Sequence, residues 1–481
     1  MIGGGLAGLA SAVALAEAGV RVRLLEKRPH LGGRATSYAL PDGSEVDNCQ
    51  HVTLSCCTNL ADFYRRVGAQ DKVRFYDKLY FADRAGRRST IEASLLLPPP
   101  LHMAASFLFF KGLSLADKSS IAKALLAIAR AGGNAPAAES ISMLEWLRRM
   151  DQTPGAIEHF WRVVLVSALD EELDRMGARY GIDVFWKGFL ANRSGYRLGI
   201  PAVPLADLYE GCRDSVARSG EVRLRTGVRN ICVHEGRFAG VTLDDGAETS
   251  ADACISAVPQ DAVLGIAPRE LAEPGGPLAG IRNIRTAPIT GVHLWFDRAV
   301  MSEPFLALLE HTTQWIFNKT LLYAMPGGTA SANAGWGRGQ YLQLVISASH
   351  GLVQRSRQDI IELCRRELAD ILPATREATL EKATVIKEVN ATFSPEPGVD
   401  CWRPAQASPV KNLFFAGDWT RTGWPATMEG AVRSGYLAAE AVLAEFGRPK
   451  ALLQPDLPVE GLSKMWVNRR HPRAEAAGGA L

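Results

Sequence analysis

No run of about 18 apolar residues free of charges and breakers occurs in the chain, which argues against a membrane-spanning helix. Neither sign of charge dominates: 54 basic residues stand against 51 acidic ones, leaving +3. That balance gives no electrostatic footprint for nucleic acid. The eight cysteines (Cys49, Cys56, Cys57, Cys212, Cys232, Cys254, Cys364, Cys401) contain no CxxC and no metal-ligand spacing, so no metal site is expected. Cys56 and Cys57 are adjacent and poorly placed to pair, and reduced thiols in a cytoplasmic protein are the expectation. No internal repeat is seen, and no secretory signal is expected ahead of a motif that starts at Gly3. The scarcest commodity is sequence ahead of the first motif. A dinucleotide-binding fold needs a strand of about five residues before its glycine loop, and only Met1 and Ile2 precede Gly3. Apolar residues upstream of Met1 are therefore expected, with weaker cofactor retention in their absence.

What is present is a globular composition, 47% hydrophobic and 22% charged over 481 residues, enough for two or three structural units. Gly3-x-Gly5-x-x-Gly8 supplies a tight turn, a close approach for a pyrophosphate, and helix–strand packing. Leu6 and Ala7 lie inside that loop, where helix N–H groups meet phosphates. A small-residue helix is predicted over 9–18, stopped by Gly19, and a strand over 20–25. Glu26 ends that strand, 18 residues beyond Gly8, where a carboxylate can hold a ribose hydroxyl pair. Lys27 stands beside it. Gly32-Gly33-Arg34-Ala35 follows as a second glycine turn.

Further along, Thr58 is predicted to cap a short helix ending at Gly68. Residues 74–91 read as a hairpin turning near 83–86. Residues 95–113 carry the run Leu95-Leu96-Leu97, three prolines and Phe107, Phe109 and Phe110, too broken to span a bilayer. They suit a lid over an apolar tunnel, a monotopic membrane patch, or ordinary core. Ser114 with Asp117, and Ser142 with Glu145, open helices. Residues 131–138 form a Gly/Ala/Pro linker. Short strands recur between 222 and 258, and strands at 287–297 and 341–348 belong to another sheet. A helix is predicted over 359–372, a strand over 412–416, and a helix from Met428. The tail after Arg473 is small, polar and expected to be disordered.

Gly32-Gly33-Arg34-Ala35 resembles the extended glycine signature of the amine oxidase and phytoene desaturase flavoprotein superfamily. Phe414-Phe415-Ala416-Gly417-Asp418 resembles the Gly-Asp closure of the same superfamily. The resemblance implies FAD rather than a nicotinamide, held by Gly3, Gly5, Leu6, Ala7, Gly8, Glu26, Lys27, Gly33, Arg34, Gly417, Asp418, Ala426, Thr427 and Met428. It also implies an adenine contact through the Val228 backbone and a helix N-terminus at Met428 aimed at the flavin N1/C2 edge. The implied architecture is α/β. A discontinuous Rossmann-like FAD domain covers 1–70, 205–265 and 405–446. A substrate domain of mixed sheet and helices covers 71–204 and 266–404, with a helical, membrane-facing part near 95–150. Residues 447–481 form a C-terminal tail.

The resemblance tightens at Asp47-Asn48-Cys49-Gln50-His51, at Cys56-Cys57-Thr58-Asn59-Leu60, and at Trp419-Thr420-x-Thr422-Gly423-Trp424-Pro425-Ala426-Thr427-Met428-Glu429-Gly430. There the chain is similar to the squalene-associated enzymes described as hydroxysqualene dehydroxylases, with Cys49 where glycine is usual. That similarity implies reductive loss of a hydroxyl from hydroxysqualene to give squalene for hopanoids. The substrate would be a long isoprenoid handed over by a hydroxysqualene-forming synthase, and the protein peripheral on the inner face of a bacterial membrane. One acid must protonate the leaving oxygen. His51 is the first choice, with Glu429, Lys187, Tyr196 and Arg403 behind it. A carotenoid or phytoene-type desaturase, a flavin amine oxidase, and a non-enzymatic prenyl-binding escort on the same fold are the alternatives.

Overall fold

The computed structural model describes residues 1–134, 138–276, 278–324 and 339–470. Linker residues 135–137 and the tail after Arg473 lie outside the described residues. The nucleotide half is built on a parallel sheet. Arg23–Leu25 pairs with Glu221–Arg223, and Cys254–Ser256 with Leu413–Phe415. Ile2 joins the two pairs by bridging in parallel to Leu25 and to Ser256. Its amide donates to the Ile255 carbonyl at 3.0 Å, and the Gly3 amide to Leu25 at 2.8 Å.

The first helix, Leu6–Glu17, begins three residues earlier than the sequence suggested, because the glycine loop is itself its first turn. Its small residues let it press against the long helix Met428–Glu445, where Ser11 Oγ donates to the Gly435 carbonyl at 3.0 Å. Leu9, Val13, Val432 and Tyr436 fill the seam between them and are fully buried. An antiparallel sheet of Val228–His234, Arg237–Leu243 and Glu248–Thr249 flanks this half.

The other half rests on a seven-stranded sheet. Its order is Leu380–Phe393, Thr286–Phe296, Gln340–Ile346, Trp315–Asn318, Phe305–Leu308, Leu79–Ala82 and Arg88–Ile91. Residues 79–91 form the expected hairpin. Val73–Tyr76 leaves it to pair with Leu198–Pro201 in a separate sheet, a division no local pattern reveals.

Helices pack on both faces of the large sheet: Ile360, Cys364 and Leu368 against Leu342 and Leu344, and Ser167 on the other face against Trp315. Leu115–Ala131 starts with the expected capping box, Ser114 Oγ accepting from the Asp117 amide at 3.2 Å and Asp117 Oδ2 from the Ser114 amide at 2.8 Å. Two stretches, Ile157–Trp161 and Trp186–Leu190, are wound as π-helix, a rare geometry that concentrates at functional sites. Residues 447–470 do not trail away. Gly461–Arg470 is a helix whose start is fastened by Leu462 N to the Pro99 carbonyl at 2.8 Å and Ser463 Oγ to the Leu190 carbonyl at 2.7 Å. Among the described residues no helix is long and apolar enough to cross a membrane.

Candidate functional site

The glycine loop is shaped by what it cannot accommodate. A Cβ on Gly8 would sit 2.0 Å from the Gly3 carbonyl oxygen. Gly33, at φ +64°, would bring a Cβ within 3.0 Å of Gly5 Cα. The two glycine turns thus touch, and Gly5 bridges in parallel to Gly32. No side chain caps the Leu6–Glu17 helix, so the N–H groups of Leu6 and Ala7 keep the open donor character of a helix start. Glu26 is buried at the strand end, Oε2 accepting from the Gly4 amide and Oε1 from the Arg28 amide, each at 2.6 Å. Lys27 beside it is exposed.

The C-terminal closure meets this loop. Arg34 NH2 donates to both carboxylate oxygens of Asp418 at 2.8 and 2.9 Å, and Arg34 NH1 to the Ala391 carbonyl at 2.6 Å. Gly417 N donates to Ser434 Oγ at 2.8 Å. Ala426 is buried, and Thr427 and Met428 are half-buried at the start of the long helix, where Thr427 Oγ1 accepts from the Gly430 amide at 3.0 Å. Val228 begins its strand, half-buried and paired with Leu243. Two helix N-termini, a fixed carboxylate and a guanidinium around touching glycines fit an adenine dinucleotide carrying a flavin.

Beside the start of the Met428 helix lies a cavity of about 420 Å³. Phe107, Leu125, Phe160, Phe185, Phe189 and Leu198 form much of its wall, and Gln50, Trp424, Met428 and Glu429 belong to the part next to the cofactor segment. Both π-helical stretches face it, supplying His159 and Phe160 from one and Lys187, Gly188 and Phe189 from the other. Lys187 Nζ stands 4.8 Å from the Trp424 ring centroid.

Of the residues expected to supply an acid, Lys187 stays in the cavity wall and the other four are engaged with protein groups. His51 is lowered in pKa by burial, so the ring is neutral, and its Nδ1 lies 2.9 Å from the Cys49 carbonyl. A carbonyl can only accept, so the proton sits on Nδ1 and Nε2 has none to give. Gln50 and Val52 line the cavity; His51 between them does not. Glu429 is fully buried and accepts from the amides of Asn59 at 3.2 Å and Leu60 at 2.7 Å. It caps the helix Thr58–Arg66 from another part of the chain, and the expected Thr58 cap does not form; Cys57 precedes the helix without a side-chain bond. Tyr196 binds the Asp77 carbonyl at 2.7 Å. Arg403, wholly buried, donates to the carbonyls of Asp418 at 3.0 Å, Thr420 at 2.6 Å and Trp424 at 2.9 Å, and so holds the cofactor segment in shape. Cys49 keeps a negative φ, so the loop does not require glycine there, and burial pushes its thiol up to about 12.

Two buried groups escaped the sequence reading. Lys319, in the short helix Lys319–Tyr323 that follows the strand Trp315–Asn318, pairs with Asp47 at 2.7 Å, both side chains fully buried. Asp170 follows the helix Arg162–Leu169, accepting from the Ala348 amide at 2.7 Å and Thr392 Oγ1 at 2.8 Å. Lys319 sits in the polar triplet Asn318-Lys319-Thr320 and Asp170 beside three other acids, so neither offered a local signal.

A family model described as flavin containing amine oxidoreductase matches residues 6–443. The zeta-carotene desaturase of Synechocystis sp. is 26% identical over 478 residues, spanning 93% of this chain and 97% of the relative. The 15-cis-phytoene desaturase of Solanum lycopersicum is 26% identical over 465 residues, 92% of this chain and 77% of the relative. Among solved structures, an oxidoreductase from Methanosarcina mazei superposes with a TM-score of 0.68 at 19% identity, over 92% of this chain and 99% of that one, a likeness of fold. These relatives overturn the expectation of hydroxysqualene dehydroxylation: proteins matched over 97% and 77% of their length are desaturases, the alternative reading of the same motifs.

Proposed function

The chain belongs to the flavin containing amine oxidoreductase family and is an FAD-dependent oxidoreductase; from that premise we propose that it desaturates a long, apolar polyene of the carotenoid class. The observation that carries this reading is the cavity whose aliphatic and aromatic wall runs up to the start of the Met428 helix. Relatives named as zeta-carotene and phytoene desaturases support it. Desaturation removes two hydrogens from neighbouring carbons, one with its electron pair, which FAD accepts when bound, and one as a proton.

The chain's own residues would bind, orient and exclude water. Gly5, Leu6 and Ala7 would offer backbone donors to the pyrophosphate, Glu26 would hold the ribose, and Arg34 with Asp418 would engage the phosphate and ribityl side. Gly3, Gly8, Gly33, Gly417, Ala426, Thr427 and Met428 would shape the backbone around the cofactor, and Val228 would approach the adenine. The phenylalanine faces suit positive charge developing on a polyene carbon. His51 and Glu429 need not act as acids, because no hydroxyl leaves.

A polyene of this class resides in membranes, and the chain carries a surface suited to reaching them. Leu95, Leu96, Phe109 and Leu115 are 89%, 92%, 79% and 78% exposed. They flank Pro100, Leu101, Met103, Ala104 and Phe107 of the cavity wall. Large apolar side chains this exposed around one segment are a mark of a surface that meets a partner or a membrane. This surface would rest on a lipid leaflet with the substrate passing inward.

The test is incubation of FAD-loaded protein with phytoene or zeta-carotene in liposomes, with a quinone as electron acceptor. New absorption at longer wavelength from an extended conjugated system is the expected result. Unchanged polyene from a protein with a full flavin complement would refute the reading.

A further inference from the structure

Lys319 is an expensive residue to bury. An ammonium removed from water costs several kcal/mol even after relaxation unless it is well paired. Its Nζ donates to Asp47 Oδ2 at 2.7 Å and to Gln50 Oε1 at 2.8 Å, and lies 4.3 Å from the Tyr323 ring centroid. Asp47 is itself fully engaged: Oδ1 accepts from Ser37 Oγ at 2.6 Å and the Leu205 amide at 3.0 Å, and Oδ2 from Tyr323 OH at 3.0 Å. Burial raises the Asp47 pKa, but the Lys319 ammonium and these donors outweigh it and hold the carboxyl below its ordinary value. Burial also lowers the Lys319 pKa, against the pull of Asp47, and the 2.7 Å contact with a carboxyl held low keeps Lys319 as the donor of the pair.

An ammonium has only donors, so the Gln50 atom facing it must be the carbonyl oxygen. That fixes the amide's orientation and turns its NH2 away from Lys319. One N–H goes to the His51 carbonyl at 3.1 Å, and among the described residues the other takes no protein acceptor. Gln50 lines the cavity along with Trp424, Thr427, Met428 and Glu429. An apolar polyene offers nothing to this N–H. The isoalloxazine ring, rich in carbonyl and imine acceptors, does.

We propose that Gln50 donates a hydrogen bond to an acceptor of the bound flavin ring, and that Lys319 is a positioning residue that locks the Gln50 amide in the donating orientation. The inference depends on FAD and not on the polyene, so it stands or fails separately from the desaturase reading.

A donor to the ring stabilises the reduced, electron-rich flavin more than the oxidised one. The test compares Gln50→Leu and Lys319→Met with the parent protein by FAD titration, visible spectrum and midpoint potential. Both variants are expected to lower the ratio of reduced to oxidised flavin affinity about tenfold, equivalent to about 30 mV for a two-electron couple. Gln50→Leu is the arm that decides if Lys319→Met fails to fold, since it removes no charge. Unchanged potential and spectrum in folded, FAD-loaded Gln50→Leu would overturn the contact, and an unfolded Gln50→Leu would assign Gln50 to the fold alone and overturn it too. A shift in Gln50→Leu with none in folded Lys319→Met would overturn the positioning role.

Discussion

Arg34 and Asp418, 384 residues apart, share a hydrogen-bonded ion pair of 2.8 and 2.9 Å. The second glycine turn and the C-terminal closure are therefore one structure, and the cofactor site exists only once the chain has folded end to end. Asp418 is nearly buried while Arg34 keeps 28% exposure, so the pair lies at the boundary of the groove.

Replacing Arg34 by Met should leave the fold intact and loosen FAD. Charge-assisted hydrogen bonds contribute roughly 1.5–3 kcal/mol, which corresponds to about 10–100-fold in FAD affinity. Flavin fluorescence on dilution measures this directly. Arg34→Lys should recover part of the loss, because charge returns without the planar fork. Equal affinity in all three proteins would remove Arg34 from the cofactor site.

Asp170 predicts a pH dependence of stability. Burial raises its pKa to about 8, against the hydrogen bonds from Ala348 and Thr392. The folded chain then holds a proton that the unfolded chain releases near pH 4. Stability on this group's account is present below pH 4 and is lost as pH rises toward 8, at up to about 1.4 kcal/mol per pH unit. Asp170→Asn mimics the protonated acid and keeps an acceptor for the Ala348 amide. Urea denaturation between pH 5 and 8 should show a flatter profile for the variant, and parallel profiles would mean that Asp170 is ionised in the native protein.

What the sequence made legible follows from how local each signal is. The glycine loop, the Ser114–Asp117 box and the strands around 228–258 are set by neighbours within a few residues, and each appears close to its expected place. The strand Leu380–Phe393 was not foreseen. Its alternation is blurred by Glu381, Lys382, Lys387 and Glu388, which an edge strand can carry outward because one side meets water. The Thr58 helix was foreseen, but its cap comes from Glu429, 369 residues from Leu60, and no window of sequence contains that. Lys319 was missed for the same reason: its partners Asp47 and Gln50 lie some 270 residues away.

The three phenylalanines of the apolar segment separate into different tasks. Phe110 is buried edge-on to Phe81, Phe107 packs on Phe160 in the cavity wall, and Phe109 is exposed. Leu95→Ser, Leu96→Ser and Phe109→Ser together should therefore weaken vesicle binding without touching the core. With about 1.5–3 kcal/mol available per fully inserted side chain, partial insertion should show as a 10–100-fold loss in partitioning by flotation. Phe110→Ser should instead lower thermal stability. Vesicle binding that survives the triple change would exclude this surface as the lipid contact.

Glu429 offers a direct contest between a chemical and a structural role. Its carboxylate is fully buried, receives Asn59 N, Asn59 Nδ2 at 2.9 Å and Leu60 N, and approaches Arg433 at 3.5 Å. Burial raises its pKa, opposed by the Leu60 amide and the Asn59 side chain. Removing it strands two helix-start amides in a dry site, each worth roughly 1–3 kcal/mol when unpaired. Glu429→Ala should therefore cost about 3 kcal/mol and weaken FAD retention, because the Thr58 helix and the Met428 helix lose their shared anchor. Glu429→Gln keeps one acceptor and should fall between parent and Ala in thermal midpoint, with turnover tracking flavin content. A chemical role would give the opposite pattern: Glu429→Gln stable and fully flavinated, yet inactive. The bonds to Asn59 and Leu60 favour the first outcome, because a carboxylate already holding a helix N-terminus has little freedom to take or give a proton.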